Sequence, residues 1–292
     1  MGYDTSSPSE AVAEYEKEFH IFGSGISYSI SPIIHNSGFQ YHNLPYSYDI
    51  RESPSIDDVA DLISASNFGG ASVTMPHKLH AHKFCDKQSG TAIAIGAINT
   101  LIVSNENGKR QILGDNTDWS GLYSILLSYA DKHEEPEIGL VIGAGGASRA
   151  ALYSMYRAGV KRIYLANRTL SSAESIKDSF KNLFSIAVVP TVADLPERPD
   201  VIIGTVPANA TTEDQFSGLF KTKGLCIDMA YMPRQTPLLT MAQKNKDWQT
   251  VTGLQVLLAQ AYDQYRLWTG LEPPQKVMAE AVAAHELKIV SK

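Results

Sequence analysis

The stretch 141–149, V-I-G-A-G-G-A-S-R, most constrains what this 292-residue chain can fold into. An apolar strand over 139–143 runs into Gly143, Gly145 and Gly146, and a helix-forming run over 147–158 follows. The run stops at Gly159, a residue type suited to the left-handed position after a helix. A second apolar strand over 160–166 then ends in Asn167-Arg168-Thr169. This is the pattern of a strand–helix–strand unit whose helix N-terminus cradles a pyrophosphate with backbone N–H groups. Gly143, Ala144, Gly145, Gly146 and Ala147 are the candidate cradle, because small residues let the backbone close on phosphate oxygens.

The end of the second strand distinguishes one dinucleotide from another. An NAD site usually carries Asp or Glu there, bound to the ribose 2′-hydroxyl. Here Asn167, Arg168 and Thr169 occupy that place. A carboxylate would repel a 2′-phosphate, whereas a guanidinium grips it bidentately. The expected cofactor is therefore NADP. The plainer reading, a tight strand-to-helix turn followed by a solvated Arg168, fits each piece alone but not their ordered spacing. The third fingerprint position is Ser148 rather than glycine.

Length and composition bound the rest. The chain is long enough for two domains of ordinary size. Its 43% apolar and 19% charged content is that of a globular protein. A net charge of −6 argues against a nucleic-acid or anionic-membrane surface. No apolar run approaches the ~20 residues that span a bilayer. The polar N-terminus lacks a basic-then-apolar signal pattern, and residues 1–18 read as a flexible tail. Cys85 and Cys226 lie far apart in apolar surroundings, as buried thiols of a reducing, cytoplasmic setting rather than a disulfide or metal pair. No metal site is expected.

From residue 19 the chain alternates strands with helices. Strands are expected over 19–26, 46–50, 71–73, 97–103, 201–206 and 225–229. Helices are expected from Ser31-Pro32, over 56–64, from near Pro76, and over 118–129, 254–270 and 276–286. Residues 105–109 read as a turn. Alternation of this kind predicts parallel sheets with right-handed crossovers.

Four polar segments fall at strand ends: S-I-S-P (29–32), S-V-T-M-P-H-K (72–78), G-A-I-N-T (96–100) and G-D-N-T-D (114–118). Ligands of open α/β sheets bind outside the carboxyl ends of the strands, and a polyhydroxylated substrate needs several hydroxyl and amide partners there. Ser29 and Ser31, opening a helix, suit a substrate carboxylate. Taken singly, Ser31 and Asp118 are helix caps, Asn99 is a turn residue and Lys78 is a surface lysine. Together Lys78 and Asp118 offer the ammonium and carboxylate needed to move a proton during hydride transfer.

In that order, the segments resemble the S-x-S-P, V-T-x-P-x-K, G-A-x-N-T and G-x-N-T-D motifs of the shikimate dehydrogenase family. The likeness spans about residues 19–270. D-M-A-Y (228–231) followed by T-P-L-L (236–239) resembles that family's D-x-x-Y…T-P-L-L stretch, and the wording of several motifs is similar to its fungal branch. That branch includes quinate dehydrogenases and the terminal domain of a multifunctional polypeptide, so membership of a larger chain stays open. The resemblance implies an α/β fold of two domains. A substrate-binding domain with a parallel-rich sheet would span 19–117 plus 253–292, and a Rossmann-type NADP domain 118–252. It further implies that Lys78 and Asp118 are catalytic. Ser29, Ser31, Thr74, Asn99, Asp118, Tyr231 and Gln260 would hold shikimate or 3-dehydroshikimate, and Thr205, Val206, Met229 and Gly253 would lie near the nicotinamide. The implied reaction is NADP-dependent reduction of 3-dehydroshikimate to shikimate. Quinate oxidation, or a catalytically silent quinate-pathway regulator on the same fold, are the alternatives. Tyr28, Ser72, Gly204 and Met232 depart from the commoner pattern, and Ser72 bears on shikimate against quinate.

Overall fold

A computed structural model describes residues 15–290. Most of the tail expected over 1–18 lies outside the described residues, and its last two residues already belong to the first strand. The first half comprises β1 (Lys17–Gly23), α1 (Ser31–Tyr41), β2 (Tyr46–Glu52), α2 (Ala60–Ser64), β3 (Phe68–Val73), β4 (Lys87–Gln88), α3 (Gly90–Ile95), β5 (Thr100–Glu106) and β6 (Lys109–Asp115). These strands form one sheet, ordered β2-β1-β3-β5-β6-β4.

That sheet is mixed rather than parallel throughout. β1 runs parallel to β2 and β3, but β3, β5 and β6 are antiparallel neighbours. The cause is local: Asn107 and Gly108 both have positive φ, 52° and 76°, between the paired residues Glu106 and Lys109. A two-residue Asn-Gly loop of this kind turns the chain straight back on itself. The helix expected near Pro76 is instead two 3-10 turns, His77–Leu79 and Ala81–Phe84, neither with a side-chain cap.

The second half comprises α4 (Asp118–Ala130), β7 (Ile138–Ile142), α5 (Gly146–Arg157), β8 (Arg162–Ala166), α6 (Leu170–Phe180), β9 (Ile186–Val189), β10 (Val201–Gly204), β11 (Lys223–Asp228), α7 (Pro237–Gln243) and β12 (Asp247–Val251). Its sheet is ordered β12-β11-β10-β7-β8-β9 with every pair parallel. This is the doubly wound order, and its direction reverses between β7 and β10, where such sheets open a ligand crevice. The chain then returns through α8 (Gly253–Thr269) and α9 (Gln275–Val290) to the first sheet. There Tyr265, Trp268, Met278 and Val282 pack with Phe19, Ile34 and Phe39.

The two halves share packing. Ile95 and Ala97 are buried with Leu126, Val141 and Ala151 of the second half. Arg149 of α5 reaches back as well, donating to the Ile95 carbonyl at 3.2 Å. Cys226 is buried and Cys85 half-buried, both are free, and burial pushes both thiols up, Cys85 to about 12.

One buried group has a consequence for stability. His35 on α1 is fully enclosed, stacked on Tyr48 at 4.7 Å, and neither ring nitrogen has a hydrogen-bond partner. Burial lowers its pKa to about 3, and the nearby Gln264 amide only partly opposes this. The folded protein thus keeps His35 neutral, while the unfolded chain takes up a proton below about 6.5. Stability from this group is complete above that pH and is lost as pH falls toward 3. Replacing His35 by Phe is expected to flatten the fall in unfolding midpoint between pH 6.5 and 4.5, measured against wild type. Parallel curves for the two proteins would refute this.

Candidate active site

The carboxyl ends of the two sheets face one cavity, lined by Ser29, Ser31, Thr74, Lys78, Asn99, Asp118, Tyr231 and Gln260. The eight residues expected to contact substrate are therefore brought together from six separate stretches of chain. Ser29 sits in the turn before α1 and Ser31 opens that helix; the Ser29 hydroxyl donates to that of Ser31 at 3.2 Å and accepts from its N–H at 3.3 Å. Pro32 follows at the first turn of α1, where its missing N–H is no loss. Thr74 and Lys78 lie just beyond β3.

Lys78 and Asp118 meet. The Lys78 ammonium donates to Asp118 Oδ2 at 2.5 Å, with side chains 15% and 7% exposed, which shields the pair from most solvent screening. Asp118 opens α4, so its carboxylate also sits at a helix N-terminus. Its other oxygen, Oδ1, accepts from Asn99 Nδ2 at 3.0 Å. Asn99 is a hub: Nδ2 also faces Thr117 Oγ1 at 3.0 Å and Gln260 Oε1 at 3.2 Å, while Oδ1 accepts from the Thr117 N–H at 2.6 Å and the Thr100 hydroxyl at 2.7 Å. The carboxylate and the Gln260 amide are thereby fixed relative to one another before any ligand arrives.

The second wall comes from the doubly wound half. Ala147, Thr205, Val206, Met229 and Gly253 line the same cavity. Gly143, Ala144, Gly145 and Gly146 form the turn from β7 into α5, and Gly143 has a left-handed φ of 110°. A Cβ on Gly145 would meet nothing, whereas one on Gly146 would come within 3.0 Å of Lys78 Cβ. The glycine turn thus passes directly against the lysine. No acidic residue stands in the first turn of α5, so its N-terminus is fit for a pyrophosphate. Ser148 replaces the fingerprint glycine for a visible reason. Its buried hydroxyl accepts from the Gly145 N–H at 2.9 Å and pairs with Thr205 Oγ1 at 2.7 Å. Beyond the cavity, at the end of β8, Arg168 is exposed and makes no hydrogen bond or ion pair among the described residues. Beside it Asn167 Nδ2 donates to the Thr169 carbonyl at 2.8 Å, and Thr169 begins α6 without using its side chain as a cap. The turn and this unpaired cation fit a dinucleotide carrying a 2′-phosphate.

One cavity residue, Gln264, escapes sequence reasoning. Tyr48 donates to Ser72 Oγ at 2.6 Å, Ser72 to Gln264 Oε1 at 3.0 Å, and Gln264 Nε2 to Thr100 Oγ1 at 3.0 Å, making a relay beneath the cavity floor. Gln264 lies one helical turn after Gln260, and that spacing was the available signal. Tyr231 rides on the loop after β11. Asp228 staples the base of this loop by accepting from Thr236 Oγ1 at 2.7 Å and the Ala230 N–H at 3.1 Å. Burial raises the Asp228 pKa and pushes Tyr231 up to about 12.

Helix α8 packs this closely on α4 at Gln260 because Gly121 of α4 has no side chain. A Cβ there would lie 2.7 Å from the Gln260 backbone nitrogen. Gly121→Ala is expected to push α8 outward, raise KM for substrate by about tenfold and lower Tm by several degrees. Unchanged KM would show that Gln260 does not depend on this contact.

Two opposed α/β halves, one doubly wound, with a lysine–carboxylate pair in the cleft between them define a two-domain dinucleotide-fold protein. The chain belongs to the shikimate dehydrogenase family, and to its fungal type. Family models match residues 21–101 (shikimate dehydrogenase substrate binding domain), 129–251 (shikimate / quinate 5-dehydrogenase) and 253–283 (shikimate 5′-dehydrogenase C-terminal domain). It is 40% identical to the pentafunctional AROM polypeptide of Malassezia globosa over 89% of this chain, but spans only 17% of that relative's length. A solved structure of dehydroquinate dehydratase and shikimate dehydrogenase from S. pombe AroM superposes with a TM-score of 0.77 at 35% identity. It covers 92% of this chain and 53% of that one. The shikimate 5-dehydrogenase of Thermus thermophilus, in complex with NADP(H) and shikimate, matches with a TM-score of 0.74 at 27% identity, covering 92% and 99%. Among the described residues, no helix is long and apolar enough to cross a membrane.

Proposed function

We propose that this chain is an NADP-dependent shikimate dehydrogenase, reducing 3-dehydroshikimate to shikimate on the route to aromatic amino acids. The observation that carries the reading is the Lys78–Asp118 pair at 2.5 Å, enclosed in the cleft and pressed against the glycine turn. In this reading residues 19–117 with 253–292 form the substrate domain and 118–252 the cofactor domain. The free thiols fit a cytoplasmic setting.

The turn from Gly143 to Ala147 holds the pyrophosphate, Asn167, Arg168 and Thr169 hold the 2′-phosphate, and Thr205, Val206, Met229 and Gly253 border the nicotinamide. When bound, that ring supplies or accepts the hydride. Ser29 and Ser31 take the substrate carboxylate, and Thr74, Asn99, Tyr231 and Gln260 its hydroxyls. Lys78 Nζ delivers a proton to the C3 oxygen as the carbonyl becomes a hydroxyl, and takes it back in the reverse direction. Asp118 aims the ammonium, and Asn99 keeps Asp118 in place.

The test is reduction of NADP and NAD, followed by absorbance, with shikimate and quinate in all four pairings. Rapid turnover with shikimate and NADP alone is expected. Preference for quinate or NAD would assign the chain to quinate oxidation, and binding without turnover would make it a ligand sensor.

A further inference from the structure

The loop carrying Tyr231 is also fastened at its tip, by residues with no place in the reaction. Arg234 presents Nε and Nη2 to the two carboxylate oxygens of Glu286, with Nη2 2.6 Å from Oε1. Its Nη1 donates to the Tyr231 carbonyl, and the guanidinium carbon lies 5.5 Å from the Tyr231 ring centroid. Glu286 belongs to α9, which Met278 and Val282 anchor in the core of the first sheet. Arg234 belongs to the second sheet's loop between β11 and α7. The fork therefore ties the loop that carries Tyr231 to a helix packed on the first sheet. The Tyr231 ring also meets Tyr28, edge to face, with centroids 5.7 Å apart. Neither Arg234 nor Glu286 lines the cavity.

We propose that Arg234 and Glu286 form a latch across the cleft mouth, positioning Tyr231 and holding the two halves closed over the bound cyclic hydroxy acid. The proposal rests on the reading that this cavity binds such a substrate. Two-pronged pairing is the geometry a guanidinium offers a carboxylate and an ammonium does not. The guanidinium also holds the Glu286 carboxyl below its ordinary range. At 32% and 24% exposed the two side chains remain within reach of salt, so the latch loosens as ionic strength rises. Because it acts on closure rather than on the reacting atoms, its loss shows in substrate retention.

The experiment is Glu286→Gln in the full chain. KM for shikimate is expected to rise about three- to tenfold with kcat unchanged or slightly higher, and KM for NADP to stay near wild type. Arg234→Lys should give an intermediate rise. Raising salt should increase wild-type KM while leaving that of Glu286→Gln nearly flat. A readout independent of turnover is amide hydrogen exchange over residues 229–236, faster in Glu286→Gln while residues 143–158 keep their protection. Faster exchange in a protein that turns over no pairing would uphold the latch and remove the activity. Unchanged KM and exchange would overturn the latch, as would a fall in kcat or Tm with KM unmoved.

Discussion

Lys78→Ala is expected to lower kcat for shikimate oxidation on the order of a hundredfold to ten-thousandfold and to leave shikimate binding in place. Lys78 is the one cationic side chain among the described residues lining the cavity. In the proposed reaction it is the group that delivers a proton to the C3 oxygen and neutralises charge building on it. Binding should survive because the serine pair and the Asn99–Gln260 arrangement do not pass through Lys78. The variant also leaves Asp118 without its cation. Asp118→Asn is the useful companion. It keeps the amine but removes the carboxylate that orients it, so its loss should be smaller than that of Lys78→Ala. Stopped-flow or steady-state rates with calorimetric binding would decide, and a Lys78→Ala enzyme within tenfold of wild type would end the assignment.

The second large effect concerns the cofactor. Arg168→Ala is expected to raise KM for NADP about tenfold to a hundredfold and to leave KM for NAD almost unmoved, the span expected when a hydrogen bond to a charged group is lost. The structure makes this a clean substitution, since Arg168 is exposed and bonded to nothing among the described residues. Its removal disturbs no internal contact, so the whole effect reads out on the ligand. Arg168→Asp should go further and invert the preference by repelling the 2′-phosphate. Initial rates with both cofactors would measure the ratio, and equal weakening of both would show that Arg168 serves the turn rather than the phosphate.

The doubly wound half was legible because its signals are local. Glycines, apolar strands and a helix stop fall within one span of about thirty residues, and backbone chemistry fixes their meaning. The polar segments at strand ends were legible for the same reason. What joins them was not: Lys78 and Asp118 are 40 residues apart, and Asn99 and Gln260 161 apart, so their meeting depends on how the sheets pack. Gln264 carries no such signal because it touches other site residues rather than announcing a ligand. Strands β9 and β12 are the two outer strands of the sheet and partly exposed, so they lack the continuous buried run that marks β7, β8 and β10. The Asn107-Gly108 loop was recognised as a turn, but its left-handed dihedrals, which reverse the strand, appear only in the folded backbone.

Ile95 and Ala97 come from the first half of the chain yet are buried among side chains of the second. Neither half is therefore a closed thermodynamic unit. A fragment of the second half made alone would leave Leu126 and Val141 short of apolar cover, and a fragment of the first would carry Ile95 into water. Melting of the intact protein should accordingly follow a single calorimetric transition, with equal van't Hoff and calorimetric enthalpies, although the molecule is built around two sheets.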